Sequence, residues 1–97
     1  MFRFSIEKDA PIGTGAKQLA SAGITPDDDF PESLQGTGEY RSDERYFRVE
    51  NERPKSPEQA VEYVQRVIHH VPRRVWIEGE SYETDDLDLS GIRPPGS

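Results

Sequence analysis

The fold is decided by residues 56–71, which read SPEQAVEYVQRVIHHV. Ser56 and Gln59 match a capping box, in which two side chains satisfy free N–H groups at a helix start, and Pro57 stands at the first helical position. Apolar residues then recur at spacings of one, three and four, which predicts a single apolar stripe. The stripe consists of Ala60, Val61, Val64, Val67, Ile68 and Val71. We therefore expect one main helix over about 57–71, ended by the proline that follows.

A β-hairpin is predicted directly after this helix. Residues 75–78 alternate between aliphatic and other side chains, as in a strand with one buried face. Residues 79–80 are a Gly-Glu pair that can form a two-residue turn, and 81–84 can return as the partner strand. In this register Tyr82 lies opposite Ile77.

Two further strands and a short helix are predicted before the main helix. Residues 2–7 alternate between apolar and polar side chains, which indicates a strand with one face in water. The stretch 40–50 is β-prone and alternates in the same way around Phe47 and Val49. Between them, Ala16–Ala22 can form a short helix that ends at a glycine.

The segment between the short helix and the second strand is predicted to be mainly a loop. Thr25 and Pro26 resemble a helix cap followed by a first helical position, but another proline soon after limits this helix to about one turn. From 30 to 38 the pattern is irregular, and Phe30 and Leu34 are the expected anchors that hold the loop to the body.

These elements predict a small α+β domain. We expect an antiparallel or mixed sheet of three to four strands, with the main helix packed on one face and the short helix after the first strand. The domain is predicted to span residues 1–84, and residues 85–97 are predicted to form an acidic and then proline-rich tail.

Composition restricts the possible functions. The chain has 97 residues, no cysteine and a formal net charge of −7. It therefore has no disulfide, thiolate metal site or cysteine nucleophile, and we expect a cytoplasmic protein without cofactor or metal. An excess of carboxylates disfavours direct nucleic-acid binding and anionic membranes, so a protein partner with a basic surface is expected. We expect a monomer or small homo-oligomer.

Two apparent ligand motifs are incomplete. Residues 13–17, Gly-Thr-Gly-Ala-Lys, lie between a strand and a helix but lack the glycine before lysine and the hydroxyl after it that a phosphate-binding loop uses. Residues 86–91 match the first half of a calcium loop, but position twelve is Ser97 instead of glutamate and two prolines interrupt the second half. Neither motif predicts a ligand.

No catalytic residues are predicted. His69 and His70 are adjacent, so on a helix their rings point about 100° apart and cannot easily share a metal ion. With arginines nearby, they are better interpreted as a cationic helix end that complements the helix dipole. No serine lies in a recognisable nucleophile motif, and we expect a protein that is not an enzyme.

The strongest candidate for a binding surface is the closing hairpin with its acidic extension. The predicted partner-binding residues are Trp76, Glu78, Glu80, Tyr82, Glu83, Asp85, Asp86 and Asp88. Aromatic side chains contribute binding energy and charge steers encounter, so this mixture is typical of a protein interface. The alternative is that Trp76 covers the back of the sheet while the acids only keep the protein soluble. The sequence leaves both interpretations open.

The leading functional hypothesis is a small, non-enzymatic inhibitor that blocks a basic surface of a protein partner. In size and charge the chain is similar to acidic inhibitors of nucleic-acid enzymes, such as immunity proteins or phage proteins that disable host defence. The alternative is an accessory structural subunit of a larger assembly, whose loop 25–38 and tail become ordered only against neighbouring subunits.

Overall fold

The structure, a computed structural model, describes residues 1–88. It contains one five-stranded antiparallel sheet with the strand order β2-β3-β1-β4-β5. The strands are β1 (Phe2–Glu7), β2 (Ile24–Pro26), β3 (Glu44–Val49), β4 (Arg74–Ile77) and β5 (Glu80–Glu83), and the helices are α1 (Ala16–Ser21), α2 (Phe30–Leu34) and α3 (Pro57–Ile68). Short 3₁₀ turns follow α2 and β5 at Gln35–Thr37 and Thr84–Asp86.

The sheet is built around β1, which pairs antiparallel with β3 on one side and β4 on the other. Because both neighbours oppose β1, they run parallel to each other, and α3 connects them in a split β-α-β arrangement. The predicted α+β class is confirmed. The sheet has five strands instead of three to four, because β2 was interpreted from sequence as a helix start.

The main core lies between the sheet and α3. One face of the sheet contributes alternate strand residues, and the helix contributes the predicted stripe. The buried members are Phe2, Phe4, Ile6, Ile24, Phe47, Val49, Ala60, Val61, Val64, Ile68 and Val75. Phe4 and Phe47 are cross-strand partners with stacked rings, whose centroids are 5.2 Å apart. The alternation and helical period therefore predicted the side chains of this layer except Ile24, which lies in the unpredicted strand β2.

The other face of the sheet is covered by α2 and the loop around it. Leu34, Tyr46 and Trp76 are buried there, and Phe30 packs against them. Tyr40 stacks on Tyr46 from the loop that leads into β3. The predicted anchors Phe30 and Leu34 thus hold this segment against the sheet, although its helix begins at Phe30 and not near Pro26.

The main helix ends three residues earlier than predicted. His69 has a φ of 58°, the left-handed conformation that ends many helices. The loop after β1 then completes the helix end, since the Gly13 N–H donates to the Ile68 carbonyl oxygen and the Thr14 hydroxyl donates to that of Val67. At the other end, one half of the predicted capping box is present, because Ser56 accepts from the Gln59 N–H. The Gln59 side chain accepts from the Lys55 N–H instead of the Ser56 N–H.

The hairpin turn lies one residue earlier than predicted, which shifts the strand pairing by two residues. Glu78 and Gly79 form the two-residue turn, both with positive φ, as in the turn type that matches strand twist. Tyr82 consequently lies opposite Val75, and Glu80 lies opposite Ile77. The predicted turn at residues 79–80 and the pairing of Tyr82 with Ile77 were wrong because the turn requires Glu78 in a conformation that glutamate seldom adopts.

The folded body continues past the predicted boundary at residue 84. Residues Thr84–Asp86 form a 3₁₀ turn, and Leu87 packs against the main core. The remaining part of the predicted tail, residues 89–97, lies outside the described residues, as does the second half of the calcium-like motif.

Candidate functional site

The predicted acidic surface is divided by the pleat of β5. Successive side chains of a strand point to opposite faces. Glu80 and Tyr82 pair with Ile77 and Val75 and therefore lie on the α3 side of the sheet. Glu83 pairs with Arg74 and lies on the α2 side. The six carboxylates therefore do not form one continuous face.

One group of carboxylates borders a cleft at the turn end of the hairpin. Glu78, Glu80 and Tyr82 line this cleft of about 510 Å³, opposite Arg53 and Lys55. The Tyr82 hydroxyl donates to Glu80 at 2.7 Å, and this hydrogen bond raises the pKa of the tyrosine. Here the predicted acids therefore lie beside basic residues of the loop before α3.

The second group borders a cleft at the opposite end of the hairpin. Its volume is about 580 Å³, and Glu83 and Asp85 line it together with Glu7, His70 and Arg73. Both predicted acids are exposed, and neither forms an ion pair with any residue from 1 to 88. Asp86, also exposed, follows in the same 3₁₀ turn and likewise has no ion pair there.

The arginine of this second cleft is already surrounded by other carboxylates. An Arg73 guanidinium nitrogen lies 3.3 Å from Asp43, and another lies 3.5 Å from Glu44 and 3.9 Å from Glu7. Three acids thus share one cation, so Arg73 is a poor counter-ion for Glu83 and Asp85. The surface at this end of the hairpin retains an excess of negative charge.

A histidine–carboxylate pair lies in the same cleft. His70 Nε2 is 2.7 Å from Glu7 Oε2, although the two residues are 63 positions apart in the chain. Burial raises the pKa of Glu7, but the hydrogen bond with His70 and the nearby Arg73 charge outweigh this, so the pKa lies below its ordinary value. A general acid needs a raised pKa, which argues against that role for Glu7, and the contact with His70 is a partly exposed hydrogen bond. No local sequence pattern could have indicated it.

Trp76 is not an exposed anchor. It is 5% exposed, and its ring packs edge-on against Phe30 at 5.0 Å between centroids and lies 5.8 Å from that of Tyr46. The Arg74 guanidinium lies 4.9 Å from the Trp76 ring centre. The prediction of Trp76 as a surface contact was therefore wrong, and the alternative, in which it covers the back of the sheet, is confirmed. Its placement follows from α2, which the sequence pattern did not locate.

A buried ion pair beneath this aromatic cluster was not predicted. Arg74 donates to Glu44 at 2.5 Å, and the two side chains are 4% and 3% exposed. Arg74 also donates to the Tyr46 hydroxyl at 3.3 Å. Alternation alone places Arg74 and Glu44 on the same face, but only the cover provided by α2 turns that face into an interior.

The second acidic run of the sequence lies at the other edge of the sheet. Asp27 is buried and pairs with Arg3 at 2.8 Å, whereas Asp28, Asp29 and Glu32 are exposed near the start of α2. They do not join the hairpin acids, because β2 and β5 are the two outer strands. Asp88 is the last described residue and is exposed.

Within residues 1–88, no three metal-ligating side chains come together, and no helix is long and apolar enough to cross a membrane. No protein-family model, curated protein or solved structure matches the chain.

Proposed function

We propose that the protein is a small, non-enzymatic binding protein that engages a basic surface of a protein partner through the acidic end of its hairpin. The contact residues are Glu83, Asp85 and Asp86. This assignment keeps the charge argument made from the sequence. It no longer includes an aromatic anchor, because Trp76 is buried. The biological type that fits best is an inhibitor, as in immunity or anti-defence proteins.

The observation that carries this proposal is the excess of carboxylates beside Arg73. The exposed carboxylates are Glu83, Asp85 and Asp86, and within residues 1–88 none of them forms an ion pair. The nearby Arg73 already contacts three other acids. Carboxylates held by a strand end and a 3₁₀ turn need little further ordering when a basic partner arrives. Lysine or arginine side chains of the partner would supply the missing charge.

The non-enzymatic part of the proposal rests on the chemistry of the neighbouring histidine. His70 contacts a glutamate whose pKa is lowered, and that glutamate is about half exposed, with a side-chain accessibility of 47%. Such a carboxylate can orient a histidine, but a catalytic pair of this kind also needs a nucleophile, and within residues 1–88 no hydroxyl group is hydrogen-bonded to His70. We also propose a cytoplasmic location, for which the absence of cysteine is the support.

The test is affinity capture from the native host with a charge-neutralised variant. Glu83→Gln, Asp85→Asn and Asp86→Asn combined should abolish capture of a partner that the unmodified chain retains. A matched control, Asp9→Asn, Glu52→Gln and Glu62→Gln, removes the same charge from exposed positions elsewhere and should retain the partner.

Salt provides the second criterion. Capture by the unmodified chain should weaken between low and moderate ionic strength, because exposed charges are screened within about 8–10 Å under those conditions. A partner that is still captured at moderate salt, and is also captured by the charge-neutralised variant, would contradict the proposal. That result would favour the accessory-subunit hypothesis.

A further inference from the structure

One edge of the sheet is only half occupied. β2 pairs with Phe47–Val49 of β3, and the Asp27 N–H extends this ladder to the Tyr46 carbonyl oxygen. Residues 44–46 pair with β1 on one side, but among residues 1–88 they have no strand on the other. On that side the Glu44 N–H already donates to the Arg41 carbonyl oxygen, so within the described residues the Tyr46 N–H is left as a donor and the Glu44 carbonyl oxygen as an acceptor. A strand edge of this kind can accept hydrogen bonds and donate them to an added extended segment.

An apolar groove lies alongside this open edge. Its volume is about 410 Å³, and its apolar lining includes Ile12, Leu19 and Phe47. Pro26 and Pro31 border it where the chain leaves β2 and enters α2. Because side chains alternate along a strand, every second residue of an added segment could enter this groove while its backbone pairs with β3.

The charge beside the groove restricts what can bind. Asp28 lines the groove, and Asp29 and Glu32 are exposed close by at the start of α2. None of these three forms an ion pair within residues 1–88, whereas neighbouring Asp27 is neutralised by Arg3. An incoming segment with lysine or arginine is therefore favoured. A second copy of this chain is disfavoured, since pairing the two open edges would bring two acidic rims together.

We propose that this groove binds an extended segment of a partner protein by strand addition, with apolar side chains alternating with lysine or arginine. The groove lies on β3 and the hairpin end on β5, and β1 and β4 stand between them in the sheet. The groove proposal thus extends the proposed function, and it stands if the hairpin proposal fails.

The test begins with selection from a library of random displayed peptides on the intact protein. We expect enrichment of sequences in which apolar residues alternate with basic ones. A synthetic peptide of the enriched sequence should then shift the backbone amide resonances of residues 44–46 and slow hydrogen exchange at the Tyr46 N–H. Replacing its basic residues with glutamate should remove binding.

Two variants locate the binding site. Asp28→Lys should weaken binding of the enriched peptide by about tenfold, while the matched control Glu62→Lys, at an exposed position of α3, should bind it within about twofold of the unmodified chain. Leu19→Gln, checked for intact folding by tryptophan fluorescence, should also weaken binding. The proposal is overturned if no such peptides are enriched, if the resonance shifts lie away from β3, if Asp28→Lys leaves affinity unchanged, or if the protein occupies the edge by self-association.

Discussion

The two faces of the sheet are closed by different physical means. On the α3 face, a cluster of purely aliphatic and phenylalanine side chains is buried against a twelve-residue helix. On the α2 face, a five-residue helix covers Tyr46 and Trp76 together with the buried Arg74–Glu44 pair. The first face gains stability from apolar burial alone, while the second depends on keeping charged and polar groups paired.

This difference has a consequence for the second face. The side-chain nitrogens Trp76 Nε1 and Arg74 Nε, and the Ser5 hydroxyl, are buried without a hydrogen-bond partner in the described part of the chain. Each such group lowers stability by roughly 1–3 kcal/mol relative to a paired one. The α2 face is therefore the one that we expect to open first when the protein is destabilised.

The largest expected loss of stability comes from truncating a phenylalanine to alanine on the α3 face, and the same truncation on the α2 face provides the comparison. Phe4→Ala removes a fully buried ring from the α3 face and should lower the free energy of unfolding by about 3–5 kcal/mol. Phe30→Ala removes a half-buried ring from the α2 face and should cost roughly 1–2 kcal/mol, since less apolar surface is lost. Urea denaturation measures both, and equal losses would show that the faces contribute alike.

The buried ion pair should give the next largest effect. Arg74→Ala leaves Glu44 buried without its main partner and should cost about 3 kcal/mol, the lower end of the usual range because Arg73 also lies 3.5 Å from Glu44. The double variant Arg74→Met, Glu44→Leu should recover most of that loss. A double variant as unstable as the single one would mean that the pair itself, and not its broken half, stabilises the α2 face.

The two kinds of packing explain why the α3 face was predicted better from the sequence than the α2 face. The stripe of α3 and the alternation of β1 are set by apolar period, and both were predicted within a few residues. α2 was misplaced because two prolines and a run of acids resemble a helix start at Thr25, where the chain in fact forms β2. Pairing across the sheet, as between Arg74 and Glu44, depends on register, which alternation does not determine.

The same limit applies to the candidate site. The acidity of the hairpin was evident in the sequence, and alternation along β5 divides it between two faces in either register. The shift of the turn from 79–80 to 78–79 changes the partner of Tyr82 from Ile77 to Val75, which both lie on the α3 side. Register therefore decides the cross-strand neighbours of these side chains and not their faces. The interior position of Trp76 depends in turn on α2, whose docking involves Phe30 and Leu34.

The smallest expected effect is a change in how the free energy of unfolding depends on pH, caused by Glu7 at the end of β1. The hydrogen bond with His70 and the nearby Arg73 charge lower the pKa of Glu7 in the folded state, so ionised Glu7 adds stability above the unfolded-state pKa, near 4.5. This contribution is lost as the pH falls through the folded-state pKa. Unfolding free energies measured from neutral pH to below that value should therefore fall less steeply for Glu7→Gln. Asp9→Asn, an exposed control, should retain the slope of the unmodified chain.

The burial of the single tryptophan tests the account most directly, because it removes Trp76 from the recognition surface and leaves that role to the carboxylates. The measurement is acrylamide quenching of its fluorescence in the free protein, compared with Phe30→Ala. We expect a blue-shifted emission that is weakly quenched in the unmodified chain and more strongly quenched in the variant. Emission at the wavelength of a solvated indole, quenched equally in both proteins, would contradict the closed α2 face and return Trp76 to the surface.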